Sequence, residues 1–437
     1  MKRIINYLLP IFIFFIPFQT RWIYASGVLN GEFWEYGTGC YYGTEILFWF
    51  IVLLFLIDQL RSKEFWQQVK NRNQKFIRKF CFFVFLFFCF LALVLWHSLD
   101  FWISLQYIER LLGAACLAMI IVFMRYRRQI NSVTLAIVFW AGGVLQGFLA
   151  IWQFFTQSVF ANKWLGMAAH YPWQLGDSVL EFSGERWLRA YGSFGSPNSL
   201  GIYLAVGLVV GLILYTQTKR RYFQILLTLG QLAIFSGLIF SFSRGAWIAA
   251  LVGIITIIVL SCKDKLFKLH LKNIIFQIIY YSLLLTLYFL LFTSLFFSRF
   301  NFANRLEARS VNERVSQLST SYKLTAKSYL LGVGPGTYTL ALYNQDPTHP
   351  ASYYQPVHNI YMLILVEWGV VIFSIFCFSI FLLIKKIRRD NKIFLPILMV
   401  LLITGLFDHW LISMFSGLVC LFLISGFSVN AVMGQDI

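Results

Sequence analysis

Twelve apolar runs, each bounded by charged or turn-forming residues, constrain this chain more than any other feature. They are Ile4–Phe18, Thr44–Leu60, Phe80–Trp96, Gln106–Met124, Ser132–Phe155, Leu200–Gln217, Tyr222–Phe240, Ala246–Ser261, Ile274–Phe297, Asn359–Ile384, Ile393–Phe407 and Leu411–Val429. A hydrocarbon core about 30 Å thick takes about 20 apolar residues in a helix, so runs of this order read as transmembrane spans. The expected fold is an all-α polytopic membrane protein with about twelve transmembrane helices. Composition agrees: 59% of the 437 residues are hydrophobic and 12% charged, against about 45–50% and about 25% in soluble domains. Disorder is excluded by the same apolar content. The first run follows Lys2 and Arg3 as a signal peptide would, but no small-x-small cleavage site follows it, and it reads as a span. The seven cysteines offer neither a disulfide framework nor a CxxC metal pair.

The formal net charge of +18 would suggest nucleic acid in a soluble protein, but here it reports orientation. With alternating spans, one side receives Lys2–Arg3, Arg61–Lys79, Arg125–Arg128, Lys219–Arg221, Lys263–Lys272 and Lys385–Lys392. Those segments hold 24 of the 36 basic residues against five acids on that side, Asp58 at the inner end of its span and Asp436 in the tail included, giving +19 there and about −1 elsewhere. By the positive-inside rule that side is cytoplasmic, both termini are expected there, and the partner of the charge is the bilayer rather than nucleic acid. The last two spans are short and separated only by Asp408, His409 and Trp410. The chain reads as one membrane domain, residues 1–437, with two exported loops too long to be mere connectors, 156–199 and 298–358. In the second, Leu306, Val311, Val315, Leu318 and Leu324 fall at helical spacing, as in an amphipathic helix lying on the membrane as a lid.

Polar residues on the exported face cluster in four places. RWLRAYGSFGSPNSLG sets Arg189 before a turn rich in glycine, with Asn198 opening the next span. Such a turn offers free backbone N–H groups to an anion, and an arginine adds charge-assisted hydrogen bonds. SFSRGAW places Arg244 between two apolar runs, where an unpaired charge costs about 2.5–3.5 kcal/mol. GVGPGTY, with Gly332, Gly334 and Gly336 around Pro335, reads as a tight turn and not as a nucleotide loop, since no GK[ST] follows. VHNIYMLILVEWG puts His358 and Asn359 at the mouth of a span and Glu367 inside it. A histidine at the wet end of a helix can take a proton at neutral pH, and a carboxylate within a span is expected to face the bundle interior. Glu109 beside Arg110, and Asp408 beside His409, are the remaining charged candidates. With the histidines scattered and no HExxH or DxD present, no metal and no cofactor are expected.

The four pieces RAYGSFGSPNSLGIYLA, SFSRGAWIAALVG, LLGVGPGTY and VHNIYMLILVEWGVV, in this order between Arg189 and Val371, resemble the bacterial O-antigen ligase and polymerase superfamily of inner-membrane glycosyltransferases. The resemblance implies a GT-C-like fold and transfer of O-antigen glycan from undecaprenyl diphosphate at the periplasmic face, by ligases to the lipid A-core oligosaccharide. It implies further that Arg189 and Arg244, with Arg314 as a third, bind the donor diphosphate and that His358 activates the acceptor hydroxyl. Asn198, Asn359, Glu367 and Asp408 would support them. The alternatives are a polymerase that extends repeat units on the carrier and, in another class, a polysaccharide flippase. Against transport stands the absence of a paired repeat between the halves.

Overall fold

The computed structural model describes residues 2–63, 66–67, 74–127, 129–263 and 271–428. Parts of two basic segments (64–65, 68–73 and 264–270), together with Arg128, Val429 and Asp436, lie outside the described residues. The apolar runs form helices α1 (Lys2–Phe15), α2 (Gly43–Leu60), α3 (Gln74–His97), α4 (Phe101–Tyr126), α5 (Ser132–Thr156), α6 (Pro197–Gln217), α7 (Arg221–Phe240), α8 (Arg244–Lys263) and α9 (Leu271–Leu291). They continue through α10 (Thr293–Phe300), α11 (Arg305–Lys327), α12 (Tyr338–Gln345), α13 (Ile360–Asp390), α14 (Leu395–Thr404), α15 (Trp410–Ser413) and α16 (Phe415–Ser428). Among the described residues, α2, α4 to α9 and α13 are the eight helices long and apolar enough to cross a membrane. The all-α polytopic class therefore holds.

Three of the expected spans are broken, Asn359–Ile384 at Gly369 among them. The run Ile274–Phe297 leaves helical geometry at Phe292 (φ −123°, ψ 33°), and Leu411–Val429 is interrupted at Met414, where the backbone is extended. Apolar content measures length but says nothing of where a chain bends to deliver a charge: α10 carries Arg299, and the α14–α15 joint carries Asp408 and His409.

The centre of the bundle is α6, nearly every residue of which is buried. It packs against α5, α7, α8 and α14. Gly201 permits its closest approach, because a Cβ there would stand 2.9 Å from the side chains of Ser243 and Ala246. Side chains in a close-packed interior do not yield to such an overlap.

Short antiparallel ribbons decorate one end of the bundle. Strand β1 (Arg21–Ala25) pairs with β4 (Gly39–Tyr42) around the small hairpin of Val28–Leu29 and Glu32–Phe33, while Val179–Phe182 pairs with Glu185–Leu188. The last hairpin turns through Ser183 (φ 50°) and Gly184 (φ 85°), both left-handed as a two-residue turn of this hand requires.

Two irregularities position the site. Between α7 and α8, Phe242 adopts φ 46°, strained for a bulky residue, and is held among the rings of Phe154, Trp247 and Phe296. Inside α13, Gly369 (φ 72°, ψ 176°) unwinds the helix. The freed backbone pairs with the glycine-rich turn: Val333 N donates to Val366 O at 2.9 Å, Gly334 N to Glu367 O at 3.0 Å and Val370 N to Tyr329 O at 3.0 Å. Gly332, Gly334 and Gly336 all have positive φ, so GVGPG is the tight turn its composition predicts.

Candidate functional site

Elements distant in sequence bring four guanidiniums together at the end of the bundle that carries the ribbons. The hairpin after residue 179 ends at Arg189, the strained corner at Phe242 starts α8 on Arg244, α10 presents Arg299, and the third turn of α11 presents Arg314. Asn198, Arg244, Arg299, Arg314 and Asp408 line one small cavity.

Glu307, buried on the first turn of α11, neutralises two of these arginines. Its Oε2 lies 2.9 Å from Nη2 of Arg244, and its Oε1 accepts from Nη1 of Arg299. Arg244 also donates to the Arg299 carbonyl at 3.2 Å and stacks over Phe302 at 5.3 Å from the ring centre. Arg299 donates through Nε to the carbonyl of the strained Phe242 at 3.0 Å. Arg314 makes no hydrogen bond or ion pair among the described residues. Burial, offset in part by Asp408 and reinforced by Arg244, lowers its pKa. Burial and then the neighbouring Arg299 push the pKa of Arg189 well down. Cations crowded in this way are arranged to receive an anion.

Arg189 stands one residue behind the cavity wall. Its Nε donates to Ser241 O and its Nη2 to Asn198 Oδ1, each at 2.8 Å, so it reaches the cavity through Asn198. Three amides at the start of the neighbouring turn are taken. Tyr191 N and Gly192 N both donate to Gln153 Oε1, and Ser193 N to Gln146 Oε1. Two buried glutamines of α5 thus occupy three of the donors that composition assigned to an anion.

His358 lies beside the cavity with Nδ1 3.7 Å from Oδ2 of Asp408. Its backbone N donates to Gln317 Oε1 at 3.4 Å, tying it to the helix that carries Arg314 and Glu307. Burial alone would raise the Asp408 carboxyl. The neighbouring imidazoles of His358 and His409 and the Trp410 amide override it and hold the carboxyl well below the usual carboxylate range. His409 is buried, its ring 5.2 Å from that of His358, and burial pushes its pKa down to about 4. Its Nδ1 is 2.6 Å from Ser413 Oγ.

The remaining candidates are placed elsewhere. Asn359 caps α13, its Oδ1 accepting from Tyr361 N and Met362 N, which satisfies helix-end donors rather than a ligand. Glu367 faces the bundle interior, Oε1 accepting from Tyr338 N at 3.3 Å. Glu109 and Arg110 do not pair with each other: Arg110 Nε lies 3.2 Å from Glu45 Oε1, while Glu109 accepts from Tyr41. Neighbours on a helix point apart, and each found a partner on another segment. Along α11, Leu324 is buried, but Val311, Val315 and Leu318 are exposed.

Sequence reading missed Arg299, Glu307 and Gln317. Arg299 carried a usable signal, a lone charge in the aromatic run FFSRF, of the same kind that singled out Arg244. The scattered histidines also misled. His358, Asp408 and His409 form a metal-capable group, the ligand atoms lying within 4.8 Å of one another. The surrounding guanidiniums, Arg314 foremost, oppose a divalent cation there, and Ser413 already engages Nδ1 of His409. The group is better suited to holding and moving a proton.

A polytopic helical membrane protein with a buried arginine cavity next to a histidine–carboxylate pair is equipped to hold an anion beside a proton acceptor. Residues 229–377 match the family model Wzy_C, O-antigen ligase, and this match supports an activity of the general ligase or polymerase type. The matched stretch includes Arg244, Arg299, Glu307, Arg314 and His358, and leaves Arg189 and Asp408 outside it. No curated protein matches the chain.

Proposed function

We propose that the protein is an O-antigen ligase, moving glycan from undecaprenyl diphosphate to lipid A-core oligosaccharide at the periplasmic face of the inner membrane, with both termini cytoplasmic. The single observation that carries this reading is the charge balance of the cavity. At the cavity wall and just behind it stand four guanidiniums, from Arg189, Arg244, Arg299 and Arg314, and two carboxylates, from Glu307 and Asp408. The excess of two positive charges equals the negative charge of a diphosphate esterified at both ends. Such a site needs neither metal nor cofactor to bind it.

The chemistry follows from the placement. The acceptor hydroxyl gives its proton to His358 while its oxygen attacks the anomeric carbon, and the bond from that carbon to the diphosphate oxygen breaks. The leaving diphosphate gains one negative charge, which Arg244, Arg299 and Arg314 are positioned to stabilise in a partly desolvated cavity. Asp408 orients His358 and stabilises its imidazolium. Arg189 holds Asn198 at the wall. Attack opposite the leaving group inverts the anomeric carbon.

The test is the lipopolysaccharide pattern of a deletion strain. Core without O-antigen, with polymeric glycan accumulating on the carrier, is the expected outcome. A single repeat unit attached to core would instead identify a polymerase, and an unchanged pattern would remove both readings.

A further inference from the structure

A second cleft opens beside His409. Tyr36, Gln106, Tyr107, Thr339, Glu367 and Ser413 are among its walls. We propose that this cleft binds a neutral pyranose of the acceptor oligosaccharide, so that donor diphosphate and acceptor sugar occupy separate cavities flanking His358. The assignment rests on the ligase reading above and deepens it.

Four features point to an uncharged sugar. First, Glu367 Oε2 and Thr339 Oγ1 are buried without a hydrogen-bond partner, and each residue is at most 3% exposed. An unmade hydrogen bond at a buried polar atom costs about 1–3 kcal/mol, and sugar hydroxyls satisfy a carboxylate and a threonine equally well. Second, the cleft's cations are already neutralised: both terminal nitrogens of Arg21 bind Glu35, and Arg110 pairs with Glu45. With no unpaired cation in its wall among the described residues, the cleft offers a phosphate none of the charge that the first cavity presents. Third, the aromatic residues Tyr36 and Tyr107 line the cleft, as in sites where a pyranose packs its apolar face on a ring. Fourth, the cleft communicates with the base. His409 has its ring 5.2 Å from His358 and 6.0 Å from Tyr36, and its Nδ1 contacts Ser413 of the cleft wall at 2.6 Å.

The experiment uses full-length protein in nanodiscs, with undecaprenyl-diphosphate-linked glycan as donor and lipid A-core from the source bacterium as acceptor, and measures KM for each separately. Thr339→Val and Gln106→Leu are expected to raise the acceptor KM about tenfold and to leave the donor KM within twofold, the loss of about one hydrogen bond. Thr339→Ser, which keeps the hydroxyl, restores the acceptor KM. An acceptor KM within twofold of wild type in both variants would make the cleft a water-filled cavity only. A rise in donor KM alone would assign it to the donor glycan, and either result overturns the proposal. Wild-type protein that transfers nothing from the polyprenyl donor would instead overturn the ligase reading, a failure visible without any variant. Should Thr339→Val not fold, Gln106→Leu carries the same comparison from another helix.

Discussion

Oε2 of Glu307 lies 2.9 Å from Nη2 of Arg244, and the other oxygen of the same carboxylate holds Arg299. One buried acid therefore stands where two guanidiniums meet, neutralising cations that would otherwise face each other.

Glu307→Gln leaves both arginines uncompensated, and removing one partner of a buried ion pair costs about 3–5 kcal/mol. A lowered unfolding temperature is expected, with added inorganic pyrophosphate restoring part of it by taking the carboxylate's place. Thermal unfolding of purified protein with and without pyrophosphate checks this; equal stability of variant and wild type would mean that Glu307 neutralises nothing.

Arg244→Lys keeps the charge but loses the planar fork that contacts Glu307 and the Arg299 carbonyl together. The expected loss in kcat/KM is about 10²-fold, the scale of removing one oriented donor to a developing anion. Wild-type turnover in a purified transfer assay would reduce Arg244 to a structural or lipid-binding role.

His358→Ala abolishes proton transfer and with it about 10²–10⁴-fold in rate. Asp408→Asn should lose most of the same factor while donor binding persists, because the oxygen 3.7 Å from His358 Nδ1 no longer carries a charge. Rate measured against donor affinity separates the two quantities, and a weakened donor affinity in both variants would move the pair from catalysis to binding.

His409 makes stability depend on pH. Its pKa is about 6.5 in an unfolded chain and about 4 in the fold. The folded state is thus favoured most above pH 6.5 and loses about 3 kcal/mol as the pH falls toward 4, since the unfolded chain takes up the proton first. Asp408, held low, adds a further loss below the ordinary carboxylate range. Unfolding temperatures across this window should fall for the wild type and fall less for His409→Asn; parallel slopes would assign the acid sensitivity elsewhere.

Gly369→Ala tests the broken helix. A Cβ at this position would stand 2.1 Å from the Leu330 carbonyl oxygen, on a backbone of φ 72° that side chains rarely adopt. A destabilisation of about 2 kcal/mol or more is expected, with the glycine-rich turn released from α13. Proteolysis within residues 328–337 should become faster, whereas an unaltered digestion pattern would show that the turn is held by other contacts.

The sequence by itself determined the class of fold and several of the charges that matter. Hydropathy is a local property, so each apolar run could be read as a helix in isolation, and a lone arginine or carboxylate in such a run, Arg244 or Glu367, announced itself by its cost. Partner choice was not readable in this way. Arg110 pairs with Glu45 rather than adjacent Glu109, Arg244 and Arg299 share Glu307, His358 meets Asp408 across fifty residues, and Gln146 and Gln153 take the amides of a turn some forty residues away. Only the tertiary structure decided these, because a buried charge or amide binds whatever the packing of distant segments brings within about 3 Å, and no local period in the chain encodes that approach.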